Sequence, residues 1–334
     1  MYLKLTLPDE KYLPSVNEAI KEYVSAPSDF EVSVVRKMID AQKNNFADYF
    51  LQTENERLGI NLKPDRVCHS VFWLIDGDRY IGSFDLRHSL TPYLKNIGGH
   101  IAYQIRPSEY RKGYAYAGLQ LCLKKADELG LSKVLLTCKE NNAASYGVMH
   151  KAMITTGGVE NTPYNDNGVI NKRVWLWTKP KPTFYLICGF LGAGKTTCSQ
   201  KLAAQTNAVH LNPDEWCMKN FSKEEYENNW DKCFKNTINT LWQKSAEYAK
   251  QNKSVIFDMG FWDKKNRQEA YKKAADMGFE PVICYVYAPD DILIGRISQR
   301  KGLIAEHNLK NFDKLKQLFE EPDETEFFIR IDNY

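Results

Sequence analysis

The chain has eight cysteines in 334 residues, yet none forms a C-x-x-C pair. Cys68, Cys122, Cys138, Cys188, Cys198, Cys217, Cys233 and Cys284 are scattered, and several fall inside apolar runs. That pattern argues against a zinc site or a disulfide framework and suits buried thiols in a reducing cytoplasm. No run approaches the ~18 apolar residues of a membrane span. The amino-terminal MYLKLTLPDEKYL lacks the long apolar core of a signal peptide. A cytoplasmic chain with no membrane partner is therefore expected. Excess charge is also scarce: 45 Lys and Arg against 42 Asp and Glu leave a net +3, which gives no reason to expect a strongly basic nucleic-acid surface. Internal repeats, low-complexity tracts and an N/T-K-x-D guanine signature are missing.

What is present points to two domains. The length of 334 residues exceeds the ~250–300 at which one core usually stops growing. The hydrophobic fraction of 43% and charged fraction of 26% are ordinary for a soluble globular protein. The clearest break is TKPKPT at 178–183, where two prolines alternate with lysines and disfavour helix. The organisation expected is a first domain over 1–178, a linker over 179–183 and a second domain over 184–334.

The second half alternates short apolar runs with helical stretches. FYLIC, AVHLN, SVIFDM, EPVICYVYA and FFIRID read as strands. The segments beginning at Lys195, at about 222 (to 251), at Lys264 and at Asp290 read as helices. This is an α/β domain with a parallel sheet covered by helices. The first half is a mixed α/β domain. Helices over about 13–25 and 31–50 precede strands at 70–76, 80–88 and 100–107. A helix follows over 113–129, then a strand at 133–139, a helix from about 142, and a hairpin turning at NDNG (165–168).

Residues 189–197, GFLGAGKTT, fit G-x-x-x-x-G-K-[ST] in full, with an apolar strand before and a helix after. Gly189, Gly192, Ala193 and Gly194 let backbone N–H groups turn onto phosphate oxygens, and the helix N-terminus adds its dipole. Lys195 would reach the β- and γ-phosphates of ATP. Thr196 would ligate Mg2+ and Thr197 would lie near the α-phosphate. Asp258, closing the strand SVIFD, stands where the Walker B acid sits and would hold Mg2+ through water, or else it only caps a turn. Asp214, in HLNPDEW, is a candidate base for an attacking hydroxyl and equally a candidate helix N-cap. Arg296 and Arg300, four apart in GRISQRKG, would share one face of a helix, either as a phosphate-binding lid or as a solvated cationic surface.

These segments resemble the small P-loop kinases of the AAA_33 and zeta-toxin-like group, which includes polynucleotide kinase and chloramphenicol phosphotransferase domains. The resemblance covers about 183–334. It implies Asp214 as general base, Arg296 beside the adenine and Arg300 as the lid arginine on the transferring phosphate. In the polynucleotide kinase an arginine three residues after the base holds the acceptor phosphate; here that position is Cys217. A small hydroxyl-bearing molecule is thus the expected acceptor, ahead of a nucleic-acid end.

In the first half, YRKGYA (110–115) joins a strand to a helix. Gly113 permits close backbone approach, Ala115 is small, and Arg111 and Lys112 supply positive charge beside a helix N-terminus. A pyrophosphate would fit there, and so would a plain strand–helix turn. The stretch 100–145 is similar to the GNAT (GCN5-related) N-acetyltransferases, over about 60–177. Arg111, Lys112, Gly113, Tyr114 and Ala115 fall on the family's acetyl-CoA pyrophosphate loop, although Tyr110 replaces its leading Gln or Arg. The resemblance puts Asn142 and Ser145 near the pantetheine arm, with backbone of the 100–106 strand, Ile105 included, serving its amides. Many members carry a tyrosine seven residues after that Asn; here it is Met149. His100, at the start of the central strand, is either a candidate base for an amine or a histidine satisfied by backbone at a strand end, and Asp85, Arg87 and His88 are candidate walls of the acceptor pocket.

The expectation is a bifunctional transferase acting with acetyl-CoA on an amine and with ATP and Mg2+ on a hydroxyl of a small molecule such as an antibiotic. Two alternatives stay open: a polynucleotide or nucleotide kinase with an accessory domain, and a kinase regulated by a non-catalytic acyl-CoA-binding module. Oligomeric state is not legible.

Overall fold

The computed structural model describes residues 3–25, 33–300 and 302–334. The chain divides into two compact units, Met1–Pro180 and Lys181–Tyr334. Among the described residues no helix is long and apolar enough to cross a membrane.

In the first unit, β1 (Leu3–Thr6) precedes α1 (Leu13–Ser25), α2 (Ser33–Lys43) and α3 (Phe46–Leu58). The strands β2 (His69–Asp76) and β3 (Arg79–Arg87) follow, then a short α4 (Pro92–Asn96) and β4 (Ile101–Ile105). The order continues with α5 (Tyr114–Glu128), β5 (Lys133–Lys139), α6 (Ala143–Thr156), β6 (Gly158–Asp166) and β7 (Val169–Trp177). The strands make two antiparallel sheets, β1-β2-β3-β4 and β5-β7-β6. Alternation along β2 and β3 sorts side chains to two cores. Val71, Trp73, Ile75 and Tyr80 pack with Tyr12, Val16, Ile20, Met38 and Tyr49 of the amino-terminal helices. Phe72, Leu74, Phe84 and Leu86 pack with Leu119, Leu123, Met149 and Ala152 of α5 and α6.

One expectation changes here, and one strand is added. The helix expected over 31–50 is two helices: Asn45 accepts a hydrogen bond from the Ala47 N–H and caps α3 afresh. Strand β1 carries only four residues, too few for a readable alternation, and is recruited by pairing with β2.

The second unit runs β8 (Thr183–Cys188), α7 (Lys195–Thr206), β9 (Val209–Leu211), α8 (Pro213–Asn220), α9 (Lys223–Asn228) and α10 (Trp230–Lys250). It continues with β10 (Val255–Gly260), α11 (Lys264–Asp276), β11 (Glu280–Tyr287), α12 (Asp290–Ser298), α13 (Leu303–Lys310), α14 (Phe312–Leu318) and β12 (Phe328–Asp332). The five strands are all parallel, in the order β12-β11-β8-β10-β9. Every residue of the central strand β8 is buried, as a strand covered on both faces requires. The helical stretch expected over 222–251 is split, with α9 opened by a Ser222–Glu225 capping box. Helix α12 stops at Ser298, where the hydroxyl turns back to the Gly295 carbonyl and Gly302 follows at φ +109. Arg300 therefore lies beyond the helix and does not share a helical face with Arg296.

One buried ion pair ties the edge of this unit together. The Arg267 guanidinium, fully buried, donates from Nε and NH2 to both oxygens of Glu326, and from NH1 to the carbonyls of Phe261 and Glu320. The Phe261 loop leaves the strand that carries Asp258, so this clamp fixes the exit of that strand.

Candidate functional site

Helix α7 of the second unit and helix α5 of the first each open on a glycine with no side-chain cap. Gly194 precedes α7 at φ +88, and Gly113 precedes α5 at φ +86; neither helix has a side-chain cap bond. The first N–H groups of both helices thus lack the usual Ser, Thr, Asp or Asn acceptor, which is the arrangement that suits an anion.

Around Gly194 the sequence-predicted residues gather. Gly189, Gly192 and Ala193 form the buried turn, and Thr196 and Thr197 are exposed in the first turn of α7. The Lys195 Nζ donates to the carbonyls of Gly189 and Phe190, 3.0 Å each. Burial lowers its pKa, and Asp258, Asp214 and Arg300 all act on it electrostatically, so those four groups share one neighbourhood. Asp258, at the carboxyl end of β10, is buried, and its Oδ2 lies 3.2 Å from His210 Nε2 and 3.3 Å from Asn212 Nδ2. A carboxylate and a threonine hydroxyl are hard oxygen donors that suit Mg2+ completed by phosphate and water. Among the described residues no group of three or more His, Cys, Asp or Glu side chains could hold a metal by itself.

Asp214 is not the helix cap. Asn212 holds that position and accepts from the Glu215 N–H at 3.1 Å, with Pro213 first in α8. The Asp214 carboxylate is thereby free. Partial burial of the carboxyl and the nearby Asp258 charge raise its pKa, against the opposing pull of Lys195. Cys217 is fully buried, with its Sγ 3.0 Å from the Thr237 hydroxyl of α10. It belongs to helix packing, so nothing at this position reaches out to hold an acceptor phosphate. Arg296 directs NH1 at the Gly192 and Ala193 carbonyls, 3.4 Å each. Asn333, which local motifs gave no means to find, donates to the Ala193 carbonyl at 2.7 Å from beyond the last strand.

In the first unit, Arg111 adopts φ +59 and is exposed, as are Lys112 and Gly113. Lys112 donates to the buried Glu109 at 3.0 Å, and Glu109 also pairs with Arg79 at 2.6 Å. Tyr114 and Ala115 open α5, and Tyr114 donates to Asp76 at 3.1 Å. Ile105 closes β4 with its side chain in the core. Asn142 caps α6 through the Ser145 N–H at 3.0 Å. The Ser145 hydroxyl lies 3.1 Å from the Tyr103 phenol, whose pKa burial pushes up to about 12. Tyr103 was missed because its strand period marks it only as core. Met149 is fully buried, 3.9 Å from the Ser145 hydroxyl.

His100 joins the two sheets. Its N–H donates to the Leu135 carbonyl at 2.6 Å, and its Nδ1 accepts from the Leu135 N–H at 2.9 Å. Burial, then Arg87, lower its pKa to about 4. That geometry gives His100 a splinting role between β4 and β5 in place of the proton-accepting role expected from sequence. Asp85 and Arg87 do line a cleft, whereas His88 is turned to the Ser70 hydroxyl at 2.9 Å.

Two family models match. An acetyltransferase (GNAT) domain model covers residues 17–153, and the AAA_33 model, an AAA domain, covers 185–322. Each half of the chain is thus similar to a different family, the first to GNAT acetyltransferase domains and the second to AAA_33 kinase-like domains. No curated protein matches the sequence. Among solved structures, a sugar kinase from Janibacter sp. HTCC2649 is 19% identical, covering 46% of this chain and 86% of its own, with a TM-score of 0.35. A ribosomal L7/L12 alpha-N-protein acetyltransferase in complex with coenzyme A is 15% identical over 52% of this chain and 92% of its own, with a TM-score of 0.36. A spermidine N-acetyltransferase SpeG chimera from Vibrio cholerae and hSSAT is 14% identical over 53% of this chain and 97% of its own, with a TM-score of 0.33.

Proposed function

We propose that the fused chain is a bifunctional transferase, moving an acetyl group from acetyl-CoA to an amine and a phosphoryl group from ATP to a hydroxyl of a small molecule. The observation that carries the kinase half is the shared electrostatic neighbourhood of Lys195, Asp258, Asp214 and Arg300 beside an uncapped helix N-terminus. Lys195 and the N–H groups of 189–197 hold the phosphates, and Thr196 and Asp258 hold Mg2+. Asp214 accepts the proton of the attacking hydroxyl. As the new O–P bond forms and the bond to ADP breaks, Arg300 neutralises the equatorial oxygens. Arg296 and Asn333 position the loop through its carbonyls. The buried Cys217 and the near-neutral chain speak against a nucleic-acid end as acceptor, and the lack of a guanine signature favours ATP.

In the acetyltransferase half, the N–H groups that open α5 and the cation Arg111 bind the pyrophosphate. Asn142 and Ser145 flank the pantetheine arm, and the Tyr103 and Ser145 hydroxyls supply the proton donors that Met149 lacks. Bound acetyl-CoA supplies an activated acyl carbon. The second reading, a non-catalytic acyl-CoA sensor, draws on Met149 alone. Acetyl-CoA incubated with an amine panel separates the two: consumption supports transfer, whereas binding without consumption that alters ATP turnover supports the sensor.

A further inference from the structure

The sheet face under α1–α3 is apolar for most of its length and turns polar at one end. Val71 pairs with Asp85 and His69 with Arg87 across β2 and β3, so these four side chains share that face. Together with α3, the 59–68 loop and α4, His69, Asp85 and Arg87 bound a cleft of about 950 Å3. Asp85, only 5% exposed, lines it with Oδ1 lacking any hydrogen-bond partner. A buried carboxylate oxygen left unmatched calls for an explanation. His69 lies beside it: Nε2 is 3.2 Å from Glu56 Oε2 and 3.9 Å from Asp85 Oδ1, and Nδ1 is 3.3 Å from the Val67 carbonyl. Both ring nitrogens face acceptors, as an imidazolium requires.

The neighbouring charges are already engaged. From α2, Lys37 meets both Glu56 oxygens at 2.7 and 2.8 Å. From β3, Arg87 spends NH1 on the Gly98 and Gly99 carbonyls and sets NH2 3.6 Å from Asp85 Oδ2. His88, beyond β3, is bound to Ser70. Lys63, Asp65 and Arg66 stand exposed on the rim.

We propose that this cleft receives the amine acceptor, that Asp85 and Glu56 hold its ammonium group, and that His69 takes the proton the ammonium must shed before acyl transfer. The proposal rests on the acetyl-transfer reading above. The ammonium gives one proton to the neutral imidazole Nε2. The free amine attacks the thioester carbon, so a C–N bond forms and the C–S bond breaks. The nitrogen then loses a second proton as the departing thiolate gains one, and His69 returns its proton to solvent. Burial alone would lower the His69 pKa, but the Glu56 hydrogen bond and the Asp85 charge outweigh it and raise the value. A raised imidazole is a better match for an ammonium proton than His100. Below that raised pKa the imidazolium competes with the ammonium for the same carboxylates; above it the site is open to the amine. Amine binding must therefore lower the His69 pKa.

The test is an NMR titration of His69 in the full chain, with n-butylamine as probe and tetramethylammonium, which has no N–H, as control. The expected result is a His69 titration above that of an ordinary histidine side chain, pulled down by n-butylamine and not by tetramethylammonium. Asp85→Asn and Glu56→Gln should each weaken n-butylamine binding at least ~10-fold, about one decade of affinity, with acetyl-CoA affinity unchanged. A His69 titration that n-butylamine leaves in place, or unchanged binding in both variants, overturns the proposal. If amines are acetylated while His69 stays unmoved, the site assignment falls and acetyl transfer stands. If His69 responds but no amine is ever acetylated, the proton-accepting role and the transferase reading fall together.

Discussion

Gly113→Ala separates a pyrophosphate loop from an ordinary strand–helix turn. Gly113 sits at φ +86, a region that L residues reach at a cost of ~1–2 kcal/mol. A Cβ at this position meets no atom within 4 Å, so the substitution introduces no clash and its cost is conformational. The loop relieves that strain by rotating out of the geometry that aims its N–H groups. The binding-competent form then lies ~1–2 kcal/mol uphill, which raises the apparent Kd for acetyl-CoA about 5- to 30-fold. Isothermal titration calorimetry of acetyl-CoA into the full chain reads this directly. Gly130→Ala is the control: Gly130 has φ +81, also with nothing within 4 Å, just past the other end of the same helix. It carries the same strain and should lower stability to a similar degree while leaving the Kd unchanged. If both variants bind like the wild type, or weaken equally, residues 110–115 are not the pyrophosphate loop.

Lys195→Ala should abolish ATP·Mg2+ binding in calorimetry and leave the acetyl-CoA Kd intact; loss of both would contradict two separate sites. Asp214→Asn keeps the Asn212 cap, so α8 should persist by circular dichroism and ATP should still bind, while phosphoryl transfer falls by ~10²–10⁴-fold, the usual worth of a general base. Because the Asp214 pKa is raised, the acid limb of transfer should lie above the pH at which an ordinary aspartate protonates, with activity lost as pH falls through it. Arg267→Met strands the buried Glu326 carboxylate and should destabilise the second unit by ~3–5 kcal/mol. Hydrogen exchange should rise around 258–267 and 320–326, and Arg267→Met combined with Glu326→Leu should recover much of the loss.

Both uncapped glycine turns were legible because each is compressed into a short stretch: GFLGAGKTT, and YRKGYA, place glycine, cation and helix start within nine residues or fewer. The parallel sheet was legible for the same reason, since its strands are continuous apolar runs. What escaped depends on residues distant in sequence. Asn333 meets Ala193 across 140 positions, and Arg267 meets Glu326 across 59. His69 and Glu56 come together only when α3 lies on β2. His100 drew attention by its place before the central strand, but only the pairing with Leu135 shows its nitrogen already in use. The helix through Arg300 was over-extended because Gln299, Arg300 and Lys301 are all helix formers; α12 ends where Ser298 bonds back to Gly295 and Gly302 follows at positive φ, local features that outweigh propensity.

The account's central claim is that one chain holds two transferase sites. Mass spectrometry of a metabolite extract incubated with the full chain, ATP, Mg2+ and acetyl-CoA tests it most directly. The account predicts one set of metabolites gaining a phosphoryl mass, lost with Lys195→Ala, and another gaining an acetyl mass, retained with Lys195→Ala. Acetyl-CoA that binds yet is never consumed, while changing the rate of ATP turnover, would contradict it.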